Sequence, residues 1–306
     1  MRFAISIPQT VADGAFDPTG MDTYLTQAEQ LGFDSAWTGE QVLGTQPLLS
    51  PLETLAYAAA RTGQIRLGCA MLVSPLHNPV HLAKTIASVD QLSRGRVEIG
   101  LVTGGPARMF SAFGVDPASF VARFDEGLRL MRQLWTQPRV DFDGRFWQLH
   151  NAAMEPKPVQ QPHPPIWFGG SHPNALARAV RYARGFIGAG SSSTAAFVRH
   201  ARIARDQLHQ QRRDPGSFTL AKRVYIAVDN DADKARDRIT DALEQRYGYF
   251  GMTNLATVPV AGTVDDCAAG LHEVGAAGAQ MILLNPLFDE LNQMHRLATE
   301  VIPRLA

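Results

Sequence analysis

The chain has 306 residues, 45% of them hydrophobic, and its 29 basic and 29 acidic side chains give a formal net charge of zero. A nucleic-acid-binding protein usually carries a basic excess, so this balance argues against a nucleic-acid partner. No apolar run reaches the roughly 18 residues that a membrane-spanning helix needs, and the first residues resemble a strand and not a signal peptide, so we expect no membrane partner. Cys69 and Cys267 are the only cysteines, which fits a cytoplasmic protein and excludes a disulfide scaffold.

The first third of the chain alternates between apolar strands and amphipathic helices. Strands are predicted over residues 3–8, 33–37, 66–73 and 96–102, and helices over residues 21–31, 51–61 and 79–95. The third of these strands is apolar at almost every position, as a strand buried on both faces should be. Ser50 and Glu53 have the spacing of a capping box at the start of the second helix. Such alternation with short links predicts a parallel sheet with right-handed crossovers.

The remainder of the chain continues this rhythm with one interruption. A long helix begins at Pro117, and Asp143-Gly144 then forms the predicted turn of a β-hairpin, an insertion at about residues 139–150. Further strands are predicted over residues 165–168, 186–189, 218–228 and 280–284, and further helices over residues 174–182, 195–211, 231–249, 264–274 and 290–305. Eight strands and at least eight helices predict an α/β fold, a (β/α)8 TIM barrel with insertions, as a single domain over residues 1–306.

Two loops that contain glycine and serine follow neighbouring predicted strands and precede helices. They are Gly169, Gly170 and Ser171 in the first loop, and Gly190, Ser191, Ser192 and Ser193 in the second. Backbone amides at a helix N-terminus and serine hydroxyls can bind a phosphate group. Either loop alone is better explained as a tight turn with an N-cap, whereas the two together at one end of a barrel favour a phosphate site.

Polar residues also follow the second and fourth predicted strands. Glu40-Gln41 ends the second strand, where a carboxylate can bind a cofactor or cap the next segment. Thr103-Gly104-Gly105 follows the fourth strand, and its glycines allow a ligand to approach the backbone closely. His77 and His81 have the spacing of a metal pair, but Pro79 between them and the lack of a nearby acidic ligand argue against a metal site.

Five stretches of the chain form a recognisable set of motifs. They are AEQLGFDSAW at residues 28–37, IRLG at residues 65–68 followed by Pro75 and Pro79, LSRGR at residues 92–96 with Gly100, residues 110–114, and PPIWFGG at residues 164–170. Together they resemble the bacterial luciferase-like superfamily of flavin- and deazaflavin-dependent oxidoreductases. The resemblance covers nearly the whole chain. It implies a TIM barrel that binds a reduced flavin-type cofactor across the strand ends, forms a homodimer and acts on a small-molecule substrate.

The resemblance also implies particular contacts with the cofactor. Family members carry a non-prolyl cis peptide in the third strand, here within residues 69–71, and its bulge supports the central ring of the cofactor, which implicates Ala70 and Met71. Thr103 and Gly104 would form the floor under that ring, and the phosphate would lie against the two glycine–serine loops. The connector at residues 161–167, QPHPPIW, resembles the subgroup that uses the deazaflavin coenzyme F420, and FMN is the alternative cofactor.

The chain departs from this family at positions that carry acid–base chemistry. Many members have a histidine where this chain has Gln41, and glutamine cannot exchange a proton near neutral pH. Some deazaflavin enzymes have a glutamate near the position of Gly105, and some flavin luciferases have a cysteine near the position of Val102. Glu40 and Gln41 remain the candidate catalytic residues, and the acid–base group is left open between water, the substrate and Tyr225.

The leading prediction is an oxidoreductase that transfers hydride between coenzyme F420 and a small organic substrate. An FMN-dependent luciferase-like monooxygenase is the first alternative, and a flavin-binding protein without turnover is the second, because Gln41 replaces the histidine. A barrel lyase or isomerase that acts on a phosphorylated substrate is the weakest alternative, since Lys222 alone offers an amine near a predicted strand end. Met109, where relatives often have a glutamate, and the predicted hairpin favour an apolar or aromatic substrate.

Overall fold

Eight parallel strands close into a barrel in the computed structural model, which describes residues 1–11, 14–104, 110–248, 251–252 and 255–305. The barrel strands are β1 (Arg2–Ser6), β2 (Ser35–Thr38), β3 (Arg66–Val73), β4 (Val97–Val102), β7 (Ile166–Phe168), β8 (Gly185–Gly188), β9 (Thr219–Val228) and β11 (Met281–Asn285). Each pairs with the next, and β11 pairs with β1, so the ring has no open edge. β5 (Val140–Asp143) and β6 (Gln148–Ala152) form a separate antiparallel hairpin, and the short β10 (Val260–Gly262) pairs with β9. The predicted TIM barrel is confirmed.

Helices cover the outside of this barrel. In the described residues they are α1 (Pro18–Gln30), α2 (Pro51–Arg61), α3 (Pro79–Leu92), α4 (Phe120–Thr136), α5 (Pro173–Tyr182), α6 (Thr194–Gln210), α7 (Ala232–Gly248), α8 (Val264–Ala276) and α9 (Glu290–Arg296). Four of them, α1, α2, α3 and α5, begin with a proline, whose fixed φ and missing N–H suit the first helical turn. None of the helices described is long and apolar enough to cross a bilayer.

The barrel strands lie within two residues of their predicted positions, and β3 has the predicted bounds. The predicted hairpin exists, and β6 extends it to Ala152. Val260–Gly262 was not predicted as a strand, because three residues are too short to show a period. The capping box predicted at Ser50 is wrong, since its hydroxyl donates to the carboxylate of Glu53 and does not cap α2. A capping box does form at the start of α8, between Thr263 and Asp266.

Two tryptophans in edge-to-face contact fill the lumen of the barrel. The ring centroids of Trp37 on β2 and Trp167 on β7 lie 6.0 Å apart at an interplanar angle of 87°. Each indole N–H is satisfied, because Trp37 Nε1 donates to Ser35 Oγ at 2.8 Å and Trp167 Nε1 donates to Glu98 Oε2 at 2.6 Å. A second and larger apolar core lies between the outer face of the strands and the helices. Alternate residues of each strand therefore belong to different cores.

Glycines on neighbouring strands make room for the two indoles. A Cβ added to Gly68 on β3 would lie 2.4 Å from the ring of Trp37, and one added to Gly185 on β8 would lie 2.5 Å from the ring of Trp167. Both tryptophans are only 1% exposed and are packed against each other, so neither ring can move aside freely. Each tryptophan ring in the lumen thus fits because the residue that it packs against on the neighbouring strand is a glycine.

We predict that Gly68→Ala lowers the free energy of unfolding by about 1–3 kcal/mol, because the added methyl overpacks the lumen against Trp37. Denaturation in urea, followed by circular dichroism, measures this change. Gly63→Ala is the matched control, since Gly63 is exposed and a Cβ there meets no atom within 4 Å. Equal stability of the two variants would contradict this account of the lumen.

Candidate functional site

Polar side chains meet at the mouth of the barrel, where the strands have their C-terminal ends. Arg223 on β9 donates from Nε to Asn285 Oδ1 at 2.6 Å and from Nη1 to the carbonyl oxygen of Ala70 at 3.1 Å. Because β3 is four strands away from β9 around the ring of eight, this side chain spans the lumen. The pocket at the mouth is lined by Ser6, Ile7, Pro8, Gln9, Thr10, Trp37, Leu48, Arg223, Arg246, Asn285, Pro286, Leu287 and Glu290. Active sites of TIM barrels occupy this end.

β3 bulges where the family resemblance predicts it. Its register with β4 shifts between Cys69 and Leu72, and the peptide bond between Ala70 and Met71 is cis, as predicted for residues 69–71. The carbonyl of Ala70 accepts the hydrogen bond from Arg223, and Met71 is half-buried. The bulge therefore presents the backbone of these two residues to the lumen.

Two glycines leave the space that Met71 occupies. A Cβ on Gly100 of β4 would lie 2.4 Å from Met71 Sδ, and one on Gly169, directly after β7, would lie 3.2 Å from the Met71 side chain. Gly169 is one of the two glycines that the sequence assigned to the first phosphate loop. The close approach of the Met71 side chain explains why a glycine stands there. Gly170, the other, has φ +128°, a conformation that favours glycine.

Thr103 and Gly104 follow β4 at the same mouth, and both are half-buried. Gly104 has φ +92°, and a Cβ there would lie 2.8 Å from the side chain of Val73. Gly105 and Met109, to which the sequence reasoning attached the missing glutamates, lie outside the described residues.

The two glycine–serine loops emerge side by side, because β7 and β8 are hydrogen-bonded neighbours. In the first loop Ser171 is exposed, and the residue that caps α5 is His172, whose Nδ1 accepts from the amide of Asn174 at 3.1 Å. Its capping role fixes the side chain at the start of the helix.

Structural roles occupy two serines of the second loop. Ser193 caps α6 by accepting from the amide of Ala196 at 3.2 Å, and the Ser192 hydroxyl donates to the carbonyl of Ala189 at 2.7 Å. Gly190 lies against Tyr225, since a Cβ there would be 2.7 Å from its ring. The turn-and-cap interpretation therefore explains Ser192 and Ser193, and it leaves Ser191, which is half-buried, and the loop amides to contact a ligand.

Glu40 ties the end of β2 to the segment after β3. Its carboxylate accepts from the amide of Val73 at 2.6 Å and contacts His77 Nε2 at 2.7 Å, and the side chain is 3% exposed. Glu40 lines a separate pocket between α2 and α3, and Gln41 is half-buried beside Gly44. Neither residue lines the mouth pocket that contains Arg223. Glu40 therefore lies against the end of β3, two residues after Met71 of the bulge, and its carboxylate is already hydrogen-bonded there.

The hairpin packs on the outside of the barrel. The carboxylate of Glu126 on α4 accepts from the amides of Arg145 at 3.0 Å, Phe146 at 2.8 Å and Trp147 at 3.1 Å. No residue of the hairpin is among the described lining of the mouth pocket. The structure thus places the predicted hairpin against α4.

Two tyrosines share a short hydrogen bond next to Arg223. The hydroxyl oxygens of Tyr225 and Tyr247 are 2.6 Å apart. Burial raises the pKa of Tyr225, but the charges of Arg223 and Arg246 and the hydrogen bond with Tyr247 outweigh it, so this pKa lies below its ordinary value. Burial and the neighbouring Tyr225 raise the pKa of Tyr247. Paired groups whose pKa values are displaced in opposite directions are typical of proton-transfer sites.

Sequence reasoning did not single out Arg223, Arg246 or Glu290, although all three line the mouth. The alternation of side chains along β9 could have indicated Arg223. Arg223 follows Ala221 by two residues, so both side chains lie on the lumen side of the strand. Arg246 and Glu290 lie on α7 and α9, whose sequences gave no such signal. Burial raises the pKa of Glu290, and the nearby charge of Asp289 adds to this effect.

Lys222 lies on the opposite face of β9, under α6, and is 2% exposed. Its Nζ donates to the carbonyl oxygens of Ala189 at 2.5 Å and Arg223 at 2.8 Å. Burial and the charge of Arg223 lower the pKa of Lys222 to about 7. An amine in this place does not reach the mouth, so the structure gives no support to a lyase or isomerase that uses it there.

These features define the chain as a TIM-barrel protein whose candidate site lies at the C-terminal mouth. The sequence profile of the luciferase-like monooxygenase family matches residues 1–281. The chain therefore belongs to the luciferase-like monooxygenase family.

Known proteins with similar sequences and folds include both flavin and deazaflavin enzymes. The FMNH2-dependent dimethylsulfone monooxygenase of Pseudomonas putida is 32% identical over 118 residues, which are 38% of this chain and 32% of that protein. Matches to the first curated relatives span 32% to 48% of those proteins' own length. The solved structures that cover this whole chain include the monooxygenase RslO1 from Streptomyces bottropensis (24% identity, all of that chain, TM-score 0.86) and the coenzyme F420-dependent tetrahydromethanopterin reductase from Methanopyrus kandleri (20% identity, 99% of that chain, TM-score 0.81). At these identities the two structures show the fold alone.

We predict that the stability of the protein rises with pH through Lys222. Between pH 7 and about 10 the folded state has released the Lys222 proton while the unfolded state still holds it, so the free energy of unfolding increases over that window. Urea denaturation at pH 7.5 and 9.5 should show the wild type gaining about 2 kcal/mol relative to Lys222→Met.

The exposed lysine variant Lys234→Met serves as the control and should follow the wild type at both pH values. A difference between wild type and Lys222→Met that is the same at pH 7.5 and 9.5 would contradict this assignment.

Proposed function

We propose that this protein is an oxidoreductase that binds a reduced flavin-type cofactor at the barrel mouth. The observation that carries the proposal is the division of the mouth into two arcs. Four consecutive strands, β3, β4, β7 and β8, present mainly backbone: the bulge at Ala70 and Met71, then Thr103 and Gly104, then the two glycine–serine loops. The opposite arc carries the polar side chains of Arg223, Tyr225 and Asn285.

The backbone arc fits a flat ring with a phosphate at one end. Its glycines contribute no side chain of their own and let neighbouring side chains pack closely, since a Cβ at Gly104 would lie 2.8 Å from Val73 and one at Gly190 would lie 2.7 Å from Tyr225. The bulge at Ala70 and Met71 would support the ring, with Thr103 and Gly104 beside it. Backbone amides of the two loops, with Ser171 and Ser191, would hold the phosphate.

Coenzyme F420 is our first candidate for the cofactor, and the reaction is then hydride transfer to or from a small organic substrate. The connector at residues 161–167, which resembles the F420-dependent subgroup, supports this choice. FMN is the second candidate, in a monooxygenase reaction, and the 32% identity to an FMNH2-dependent monooxygenase over 118 residues favours it. In either case the cofactor supplies the redox chemistry, and the chain supplies the wall, the phosphate loops and the groups that hold protons.

The hydrogen-bonded pair of Tyr225 and Tyr247 is our candidate for the proton-transfer group. The pair adjoins both Arg223 in the mouth and Gly190 in the second loop, and the two arginine charges favour a proton deficit on Tyr225. Glu40 is less suited, since its carboxylate is already engaged by the backbone amide of Val73 and by His77. We assign Glu40 and Gln41 a positioning role at the end of β2 instead of a direct chemical one.

The remaining expectations are part of the proposal. The substrate is a small organic molecule, with an apolar or aromatic compound as the first choice, and the protein functions as a homodimer. A protein that binds the cofactor without turnover is the main competing function. Anaerobic reoxidation of the bound reduced cofactor by an added organic substrate would exclude that competitor.

We predict that the protein, produced in a host that makes both cofactors, releases coenzyme F420 on denaturation. Mass spectrometry of the released molecule identifies it, and titration of the apoprotein with purified F420 and with FMN measures the preference. Tight binding of FMN together with none of F420 would reject hydride transfer with F420 and support the monooxygenase. Binding of neither molecule would reject the proposed function.

We predict that Tyr247→Phe shifts the pH profile of turnover to higher pH. Loss of the Tyr247 hydroxyl removes a hydrogen bond that lowers the pKa of Tyr225, so this pKa rises. The part of the pH profile that depends on the ionisation of Tyr225 then moves to higher pH. We expect a fall in kcat of about 10² at neutral pH, since positioned acid–base groups contribute on that order. Cofactor affinity should stay unchanged.

Tyr182→Phe is the control, because Tyr182 is a half-buried tyrosine on α5 away from this pair. An unshifted profile in Tyr247→Phe, with normal kcat, would remove the tyrosine pair from the mechanism.

A further inference from the structure

We propose that Lys222 is a positioning residue for the second phosphate loop and that its ammonium group supplies a positive charge directly behind that loop. This inference rests on the proposed function, because it concerns the phosphate of the flavin-type cofactor. It adds a residue that lies on the outer side of the barrel wall and does not touch the ligand.

The path of the Lys222 side chain leads to the start of the loop. Lys222 pairs in register with Gly188 on β8, and a Cβ on Gly188 would lie 3.1 Å from Lys222 Cδ. Nζ then donates to the carbonyl oxygen of Ala189, the residue before Gly190, at 2.5 Å. The same carbonyl accepts from the Ser192 hydroxyl at 2.7 Å. Lys222 and Ser192 thus fix one peptide group, and the orientation of the following amides depends on it.

The charge of Lys222 has no acidic partner in the part of the chain that the structure describes. The charged and titratable groups that face it are His200 on α6 and Arg223 on its own strand, and its two hydrogen bonds go to carbonyl oxygens. His200 is itself buried, its Nδ1 has no hydrogen-bond partner among the described residues, and burial lowers its pKa. Buried cations in proteins are usually paired with an anion. Here the nearest place for an anion is the adjoining loop, which suits a phosphate group.

Bound phosphate should therefore favour the protonated form of Lys222. The approach of an anion stabilises a nearby ammonium and raises its pKa, and burial now holds that pKa at about 7. Affinity for the phosphate group should then fall as the pH rises and Lys222 loses its proton. A lysine that only fills space between β9 and α6 would produce no such pH dependence.

Pairs of ligands that differ by the phosphate test this role. The pairs are FMN with riboflavin, and coenzyme F420 with its phosphate-free chromophore, titrated into the protein at pH 7 and pH 9. For wild type we expect about tenfold weaker binding of the phosphorylated ligand at pH 9 and no change for the phosphate-free one. Lys222→Met should bind the phosphorylated ligand about tenfold more weakly at pH 7, without a pH effect, and bind the other ligand normally.

Lys222→Gln separates the charge from the hydrogen bond and provides a second variant if Lys222→Met does not fold. It retains an N–H that can donate to Ala189, so it should recover part of the affinity and still show no pH effect. Lys234→Met is the control for loss of one exposed lysine. Equal weakening of phosphorylated and phosphate-free ligands, or no weakening of either, would overturn the inference.

Inorganic phosphate distinguishes failure of this inference from failure of the proposed function. If no flavin or deazaflavin binds, the proposed function fails, and the inference is decided by the thermal unfolding temperature with and without millimolar phosphate. A phosphate-dependent rise in Tm in wild type and Lys234→Met that is lost in Lys222→Met would sustain the role of Lys222. An equal rise in all three proteins, or none in wild type, would reject it.

Discussion

The packing of two indoles in the lumen is the constraint on which the site depends. Trp37 and Trp167 close the barrel from within, and they fit only because Gly68 and Gly185 carry no side chain opposite them. Ala70, in the bulge of β3, belongs to the same buried cluster as the two rings, so the packing of the indoles and the position of the bulge are linked. A cavity or an overpacked contact at the indoles would be transmitted to the mouth, because close-packed interiors relax only partly.

Above the two indoles, β9 carries one positively charged side chain on each side of the barrel wall. Arg223 points into the lumen and connects β9 to β11 and to β3 across the mouth, whereas Lys222 points outward and supports the loop after β8. Adjacent residues of a strand face opposite sides, so one dipeptide supports two different parts of the candidate site. The two charges also influence each other, since Arg223 contributes to the lowered pKa of Lys222.

The order of strands and helices could be read from the sequence because each barrel strand is a compact apolar run and each link contains a glycine, proline or cap. The loops at residues 169–171 and 190–193 could likewise be placed at one end, since parallel strands in a barrel share their C-terminal edge. The contacts of individual side chains could not be read. Glu40 could be placed at the end of β2, yet its contacts with the Val73 amide and with His77 depend on the bulge of β3, which no local pattern encodes. Tyr247 and Arg246 reach the site from α7 through tertiary packing alone.

The replacement of histidine by glutamine at residue 41 is consistent with the arrangement of the opposite arc. A proton-transfer group at the end of β2 would stand beside Glu40, whose carboxylate is already engaged by a backbone amide and by His77. On the arc formed by β9 and β11, by contrast, the two hydroxyls of Tyr225 and Tyr247 lie 2.6 Å apart beside Arg223, and Arg246 adds a second positive charge. Two cations near a phenol favour its ionised form, and an ionised phenol can accept a proton. Gln41, on the other side of the mouth, cannot exchange a proton near neutral pH. On the function proposed here, acid–base chemistry therefore belongs to β9, and the substrate should enter between Arg223 and the backbone arc that holds the cofactor.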